Sequence, residues 1–415
     1  MPNDTALVSN VIVGGPSEKA GILSGDKIIS VNDTVIAGVQ MPQDSMVKLM
    51  RGPKGTKVCI KVQRQEGEPL VAFDIRRDRI PANSIDVAFM VNDTTGYIKL
   101  SKFSRHTFKE FLESLEKLEG MEKLVLDLRG NGGGYLDQAL LVANEFLEKG
   151  QLMVYMEGAH RNREDIFADG YGKCRNTTIY VLMDEGSASS SEIVAGALQD
   201  NDRGTIVGLR SFGKGLVQEP IYFSDGSGIR LTVARYHTPT GRCIQKPYTD
   251  DYLYDIYERY RSGEMMSADS IKVNDSLRFT TPGGRVVYGG GGIIPDVFVP
   301  VDTLGYTEVL GKCNRASLAV KYANMVFEAN RGTVRNLTTM SALRSFFGSL
   351  DIRKGFLDFA AGKGIVPASG DWDISGNIIT KQIEAFIGRY TPMGDEAFYR
   401  LWLEIDRTAQ TAISL

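Results

Sequence analysis

A serine-rich turn between a strand and a helix decides the fold of this chain. Residues 178–198 read TIYVLMDEGSASSSEIVAGAL. The first six form an apolar run typical of a buried strand, and the apolar residues from Ile193 onward fall at helical spacing. We expect Ser190 or Ser191 to cap this helix, with Glu192 in its first turn. The turn serines then stand beside unpaired backbone N–H groups, a geometry that suits a nucleophile next to an oxyanion site.

A lysine on a glycine-flanked loop supplies the base that such a serine needs. Residues 204–218 read GTIVGLRSFGKGLVQ, which predicts a strand over residues 205–209 and then a loop that carries Lys214. Apolar and glycine-rich surroundings remove solvent from a lysine and disfavour its charged form, so that the neutral amine can act as a general base. None of the three histidines lies in a recognisable triad context: His106, His160 and His237.

In this order, the two motifs resemble those of the C-terminal processing peptidases, also called tail-specific proteases. That family consists of serine endopeptidases with a Ser-Lys dyad and an attached PDZ domain. The resemblance rests on GSAS at residues 186–189 and FGKG at residues 212–215. It implies that Ser189 is the nucleophile, that Lys214 is the base and that Gln218 orients the lysine. It also implies an acyl-enzyme intermediate and neither a cofactor nor a metal ion.

A second family signature follows an earlier strand. Residues 123–134 read KLVLDLRGNGGG, a buried parallel-type strand that runs into a glycine-rich turn. The carboxyl ends of strands are where open α/β sheets bind ligands. The resemblance implies an oxyanion hole made by the backbone N–H groups of Gly133 and Ser190. Ser190 replaces an alanine that is common in the family motif, and this departure leaves the dyad intact.

The sequence predicts an α/β fold: a mixed α/β protease core with a strand-turn-helix active site, an N-terminal PDZ-like module and a C-terminal helical region. Its predicted segments are a PDZ-like domain at 1–66, a linker at 67–83, a Ser-Lys protease core at 84–302 and a helical accessory domain at 303–415. The PDZ resemblance rests on GPSEKAGILSGDKIISVND at residues 15–33. PDZ domains bind C-terminal peptides by strand addition. The loop that would hold the peptide carboxylate is expected before Met1, so we expect this chain to bind peptides weakly there.

Composition narrows the classes of partner. The net charge is −3, which gives no general attraction to nucleic acid or to a membrane surface, and no apolar run reaches transmembrane length. The four cysteines are scattered without a metal or redox motif. The expected partners are protein or peptide substrates with apolar C-termini, and the helical region is a candidate for homo-oligomer formation. The resemblance implies a bacterial periplasm or cell envelope; since no signal peptide opens the chain, we expect upstream residues.

Two alternatives remain open at this point. One is a catalytically inactive, PDZ-type peptide-binding protein with a protease-like core. The other is a nucleotide-binding protein, because the spacing from Gly208 to Gly213-Lys214 imitates a phosphate-binding loop. That motif needs Ser or Thr after the lysine to reach the magnesium ion, and this chain has Gly215.

Overall fold

The computed structural model describes residues 4–8, 11–12, 15–64, 67–81, 83–248 and 254–415. The chain divides into two compact units. The first contains Met1–Ala82 and Asp302–Ile405, and the second contains Asn83–Val301 and Asp406–Leu415.

The N-terminal segment of the first unit is a small antiparallel sheet with two helices. Its elements are β1 (Ala6–Leu7), α1 (Pro16–Ala20), β2 (Lys27–Val31), β3 (Thr34–Val35), α2 (Gln43–Met50), β4 (Lys57–Gln63) and β5 (Val71–Arg76). The strand order is β1-β2-β4-β5, and β3 pairs with β2. Alternate residues of β4 are buried, as expected for a strand with one face on the core: Val58, Ile60 and Val62. The strand predicted from Val8 falls partly on residues 9, 10, 13 and 14, which lie outside the described residues.

Strand β5 lies within residues 67–83, the segment that we predicted to be a linker. It pairs with β4 along its length, from Val71 opposite Val62 to Arg76 opposite Lys57. Ile75 on this strand is buried in the core of the sheet. The alternating apolar residues of β5 therefore outweigh the charged run that follows them, and the small domain extends beyond residue 66.

The second unit is built on a six-stranded sheet with the order β17-β12-β11-β8-β7-β6. In this sheet the β6–β7 pair is antiparallel, and the other four pairs of strands are parallel. A second, antiparallel sheet has the order β10-β9-β14-β13, and β15 pairs with β16. The elements of this region are β6 (Ile85–Met90), β7 (Thr95–Leu100), α3 (Thr107–Glu116), β8 (Lys123–Asp127), α4 (Leu136–Asn144), β9 (Leu152–Gly158), β10 (Arg161–Phe167), β11 (Thr178–Met183), α5 (Ser190–Asp200), β12 (Gly204–Gly208), β13 (Leu216–Tyr222), β14 (Gly228–His237), α6 (Asp255–Arg261), β15 (Arg278–Thr280), β16 (Val286–Tyr288) and β17 (Val297–Phe298).

Three neighbouring parallel strands bring the predicted motifs to one edge of the sheet. The register pairs Leu182 of β11 with Asp127 of β8, and Met183 of β11 with Gly208 of β12. The segments after β8, β11 and β12 therefore begin side by side, at the carboxyl edge where such sheets bind ligands. The three strands are almost wholly apolar and buried, which is the pattern of a parallel sheet covered on both faces.

The C-terminal region is helical, as predicted. Its helices are α7 (Glu308–Arg315), α8 (Leu318–Ala329), α9 (Arg331–Val334), α10 (Met340–Gly348), α11 (Ile352–Ala361), α12 (Asp371–Gly388), α13 (Asp395–Trp402) and α14 (Arg407–Ser414). Helices α7–α13 share one hydrophobic core and belong to the same unit as the first sheet. Arg331 donates to the carbonyl of Gly25, and the ring of Phe327 packs on that glycine so closely that a Cβ would lie 2.2 Å from it.

Helix α14 differs from the other C-terminal helices because it belongs to the second unit. Asp406 caps it by accepting the N–H of Ala409, and the same carboxylate receives two bonds of 2.6 and 2.9 Å from Arg129. At the other end of the helix, Lys123 donates to the carbonyl of Ile413. The segment predicted as one accessory domain at 303–415 thus divides near residue 406, since its last helix packs on the core sheet.

Candidate active site

Ser189 lies at the turn between β11 and α5, with a backbone conformation that L-residues rarely adopt. Its φ is +58° and its ψ is −114°. A non-glycine residue at positive φ typically costs about 1–3 kcal/mol and persists only where its surroundings fix it. Ser189 itself occupies the N-cap position, and Ser190 and Ser191 lie inside the helix. The expectation that Ser190 or Ser191 caps the helix was therefore wrong.

The two inner serines bind a neighbouring loop instead of the helix end. The hydroxyl of Ser190 donates to the carbonyl of Gly134, at 3.0 Å, and the hydroxyl of Ser191 donates to the carbonyl of Asn131, at 2.8 Å. Both carbonyls belong to the glycine-rich turn after β8. The start of α5 is thereby joined to the loop that carries Gly133.

The carboxylate of Glu192 connects the serine turn to the lysine loop. One oxygen accepts the backbone N–H groups of Ser189, at 2.8 Å, and of Lys214, at 2.9 Å. The other accepts the Ser211 hydroxyl, at 2.5 Å, and the N–H of Gly213, at 2.7 Å. Glu192 is completely buried, and burial raises its pKa above the ordinary value, although these four donors oppose the rise. The bond to Ser189 is one half of a capping box, which extends here to a second loop.

Tyr236 of β14 binds the backbone carbonyl groups of Ser189 and Lys214. Its hydroxyl donates to the carbonyl of Ser189, at 3.2 Å, and to that of Lys214. The side chain is 2% exposed, and burial, together with the nearby charge of Glu192, raises its pKa well above the ordinary value. The hydroxyl therefore stays protonated and able to donate near neutral pH. Two side chains thus hold both peptide groups of the predicted nucleophile and of the predicted base.

Gly133 lies against the nucleophile turn. A Cβ at this position would stand 2.8 Å from the Cβ of Ser189 and 2.9 Å from the backbone nitrogen of Ser190, so only glycine fits. Its φ of +94° also favours glycine. However, the N–H of Gly133 donates to Oδ1 of Asn131, at 2.9 Å. This donor of the predicted oxyanion hole is close to Ser189, but it is directed to another acceptor in this conformation.

Two side-chain contacts expected of the catalytic residues are absent from this conformation of the described chain. Gln218 is exposed on β13, and its side-chain amide contacts the hydroxyl of Thr232 at 3.4 Å. Within the described chain, no hydrogen bond joins Gln218 to Lys214, and none joins the Ser189 hydroxyl to the Lys214 amine. The structure therefore aligns the backbones of the predicted dyad more closely than its side chains. Catalytic hydrogen bonds often tighten only in the complex with substrate.

The loop around Lys214 does not have the arrangement of a phosphate-binding loop. Such a loop directs several backbone N–H groups at the phosphates. Here the N–H groups of Gly213 and Lys214 are directed at Glu192, and that of Gly215 donates to the side chain of Gln245. These donors are satisfied within the protein, which argues against the nucleotide-binding alternative. Among the described residues, no group of three or more His, Cys, Asp or Glu side chains is arranged to hold a metal ion.

Comparison with known sequences gives matches to two domain families and to named proteases. Residues 94–253 match the model of peptidase family S41, and residues 7–64 match that of the PDZ domain. The chain is 37% identical over 242 residues to the carboxy-terminal processing protease CtpA of Bacillus subtilis, covering 58% of this chain and 51% of that protein. It is 38% identical over 280 residues to a carboxy-terminal-processing protease of Bartonella bacilliformis, covering 65% of this chain and 63% of that protein. The chain thus spans between half and two thirds of the length of these curated relatives.

Among solved structures, the chain is similar to a photosystem II D1 C-terminal processing protease. The two are 28% identical, with a TM-score of 0.40, over 75% of this chain and 72% of the other. None of the helices in the described part of the chain is long and apolar enough to cross a membrane. Over residues 94–253 the chain is therefore similar to peptidase family S41, with a match to the PDZ domain ahead of that region and carboxy-terminal processing proteases among its curated relatives.

Proposed function

We propose that this chain is a serine endopeptidase that cleaves polypeptides near their C-termini through a Ser-Lys dyad of Ser189 and Lys214. The observation that carries the proposal is the buried Glu192 carboxylate. A single oxygen of it accepts the N–H of Ser189 and the N–H of Lys214, two residues 25 positions apart in the sequence (214 − 189 = 25). A buried carboxylate needs such donors. Because one oxygen binds both backbone N–H groups, it keeps the backbones of the two predicted reactive residues close together.

In the proposed reaction, the Ser189 hydroxyl attacks the carbonyl carbon of the scissile peptide bond, and the neutral Lys214 amine takes its proton. The resulting ammonium returns a proton to the leaving amine, which departs with the C-terminal fragment of the substrate. A water molecule, deprotonated by Lys214, then attacks the acyl-enzyme; the ester bond to Ser189 breaks, and the lysine ammonium returns the proton to the serine oxygen. Since the side chains supply every proton transfer, the reaction needs no cofactor.

We assign stabilisation of the oxyanion to the backbone N–H groups of Ser190 and Gly133. The Gly133 donor can serve only when its bond to Asn131 is broken or shared, and Gln218 can orient Lys214 only after its side chain leaves Thr232. We therefore propose that the described conformation is a resting one, which a bound substrate completes. The PDZ domain is the proposed gate, because PDZ domains capture extended C-terminal peptides.

The proposed substrates are unstructured proteins or peptides with apolar C-termini, and the proposed place of action is the bacterial cell envelope. The curated relatives are bacterial proteases named for carboxy-terminal processing. We also propose the helical region at 303–415 as a candidate surface for self-association. We further propose a PDZ-like segment, a protease core and an accessory helical segment in that order, with β5 assigned to the first and α14 to the core.

The test is mass spectrometry of the products from an unstructured protein that ends in an apolar tail. The wild type should release peptides from the tail, with cleavage internal to the chain rather than one residue at a time. Ser189→Ala and Lys214→Ala should each abolish these products while far-ultraviolet circular dichroism stays unchanged. A second substrate with a charged tail tests the preference for apolar C-termini.

The alternative function is that of an inactive PDZ-type binding protein. Two observations favour it: the Gln218 side chain contacts Thr232 and not Lys214, and the N–H of Gly133 donates to Asn131. It predicts that wild type and Ser189→Ala leave the tailed substrate equally intact under all conditions while both bind it. Substrate turnover that depends on Ser189 would exclude this reading.

A further inference from the structure

A tyrosine outside every predicted motif contacts both halves of the proposed dyad. Tyr236 lies in β14, where its backbone pairs with Met156 of β9 and its N–H donates to the carbonyl of Gly215. Its position is therefore set by the antiparallel sheet and by one backbone hydrogen bond to Gly215, the residue that follows Lys214. The side chain reaches from this sheet to both loops.

The hydroxyl of Tyr236 has more acceptors than its burial requires. A buried tyrosine hydroxyl needs one partner for its single proton. The Lys214 carbonyl already fulfils that need, and the Ser189 carbonyl lies within reach as well, at 3.2 Å. The proton is shared between the peptide groups of the nucleophile and of the base. A purely structural tyrosine would not need the second contact.

The contact between Tyr236 and Ser189 helps to fix the unusual backbone conformation of Ser189. At φ +58° the serine backbone is strained, and such strain persists only when the surroundings define the conformation more than once. Glu192 fixes the N–H of Ser189, and Tyr236 fixes its carbonyl. The same two side chains fix the N–H and the carbonyl of Lys214. The backbone N–H and carbonyl groups of Ser189 and Lys214 are thus all hydrogen-bonded, the N–H groups to a side chain of α5 and the carbonyls to a side chain of β14.

We propose that Tyr236 is a positioning residue of the reaction: its hydroxyl sets the position of Lys214 relative to Ser189 by binding the backbone carbonyls of both. This inference rests on the proposed function. Tyr236 does not touch the substrate or exchange protons. It acts through the peptide groups of the dyad, opposite to Glu192, and makes the spacing of the two reactive side chains depend on the sheet.

The test removes only the hydroxyl. Tyr236→Phe should lower kcat about 10- to 100-fold, because small misplacements of reacting groups are costly, and should leave KM within about twofold. The matched control is Tyr155→Phe on the neighbouring strand, whose hydroxyl also contacts a backbone carbonyl, that of Gly241 at 3.4 Å. This control should retain wild-type kcat and KM. The melting temperature of each variant is measured alongside, and Tyr236→Phe should lose far more activity than stability, because one lost hydrogen bond costs only about 1–3 kcal/mol.

A rescue keeps the test decisive if the phenylalanine variant folds poorly. Incorporation of 4-aminophenylalanine at position 236 restores an N–H donor at the place of the hydroxyl and should recover most of the lost kcat. The inference is overturned if Tyr236→Phe keeps wild-type kcat, if its losses in kcat and KM match those of the control, or if the amino variant is no better than phenylalanine. Ser189→Ala is assayed in parallel: should it remain active, the proposed function fails, whereas an inactive Ser189→Ala beside a fully active Tyr236→Phe refutes this inference alone.

Discussion

Replacing Glu192 is the most informative single perturbation of the site, since this side chain joins the two loops. Alanine would leave three backbone N–H groups without their acceptor: that of Gly213, which is buried, and those of Ser189 and Lys214, which are partly buried. Each buried donor without a partner costs about 1–3 kcal/mol. The sum is at most about 3–9 kcal/mol, reduced by the partial exposure of two of the donors and by release of the burial penalty of the carboxylate, against a total stability of about 5–15 kcal/mol for a domain. Glu192→Ala should therefore unfold easily or not fold at all.

Glutamine should be much milder, because it keeps one oxygen at the same place. That oxygen is expected on the side of Ser189 and Lys214, where both donors are backbone N–H groups that cannot act as acceptors. The amide nitrogen then faces Ser211, whose hydroxyl can accept, and Gly213, whose N–H loses its partner. The expected loss is one buried hydrogen bond, about 1–3 kcal/mol. Since the dyad contacts survive, kcat/KM should fall less than about tenfold.

The assay is urea unfolding, followed by fluorescence, together with kcat/KM on a tailed peptide. Glu116→Gln, at the exposed end of α3, is the control and should change neither quantity. The reasoning is refuted if Glu192→Ala is as stable as the wild type, or if Glu192→Gln is destabilised as severely as the alanine variant. Either result would mean that the four hydrogen bonds of this carboxylate do not hold the loops.

Three further predictions concern the pH dependence of stability, helix α14 and the turn at Gly25. Burial raises the pKa of Glu192 above its ordinary value of 4.5, so the folded protein binds this proton more tightly than the unfolded chain does. The free energy of unfolding of the wild type, relative to that of Glu192→Gln, should therefore be greatest below pH 4.5. It should fall as the pH rises through the raised pKa. Asp406→Asn keeps the helix cap but weakens the fork with Arg129, which should cost about 1–3 kcal/mol of unfolding free energy; equal urea midpoints would contradict this. Arg331→Ala removes the donor to the Gly25 carbonyl and should speed amide hydrogen exchange in residues 21–26 about tenfold, whereas unchanged exchange would show that this contact contributes nothing.

The strands that position the site could be predicted because each is a continuous apolar run, as burial on both faces of a sheet requires. The run at residues 178–183 matches β11 at both ends, and the run at residues 205–209 is offset from β12 by one residue. Both runs are apolar because a central parallel strand is buried on both faces. From the order of these runs alone, one could infer that the three motif loops share an edge of the sheet.

The connections between the loops could not be predicted, because they join residues that are distant in sequence. Tyr236 is 47 positions from Ser189 and 22 from Lys214, and its local sequence indicates only a strand. Glu192 carried a partial signal, since a glutamate three residues after an N-cap serine is a capping box. That signal was missed because the cap was placed at Ser190 or Ser191. Its contacts with Gly213 and Lys214 depend on how two loops meet, which local propensity does not encode.

The central claim is that Ser189 is a nucleophile activated by Lys214, and labelling with a fluorophosphonate tests it most directly. The rate of incorporation is measured for the wild type, Ser189→Ala and Lys214→Ala, and the modified residue is located by peptide mapping. We predict modification of Ser189 in the wild type, none in Ser189→Ala, and a rate at least about 100-fold lower in Lys214→Ala, the usual contribution of a general base. Modification at another residue, or an undiminished rate in folded Lys214→Ala, would contradict the account.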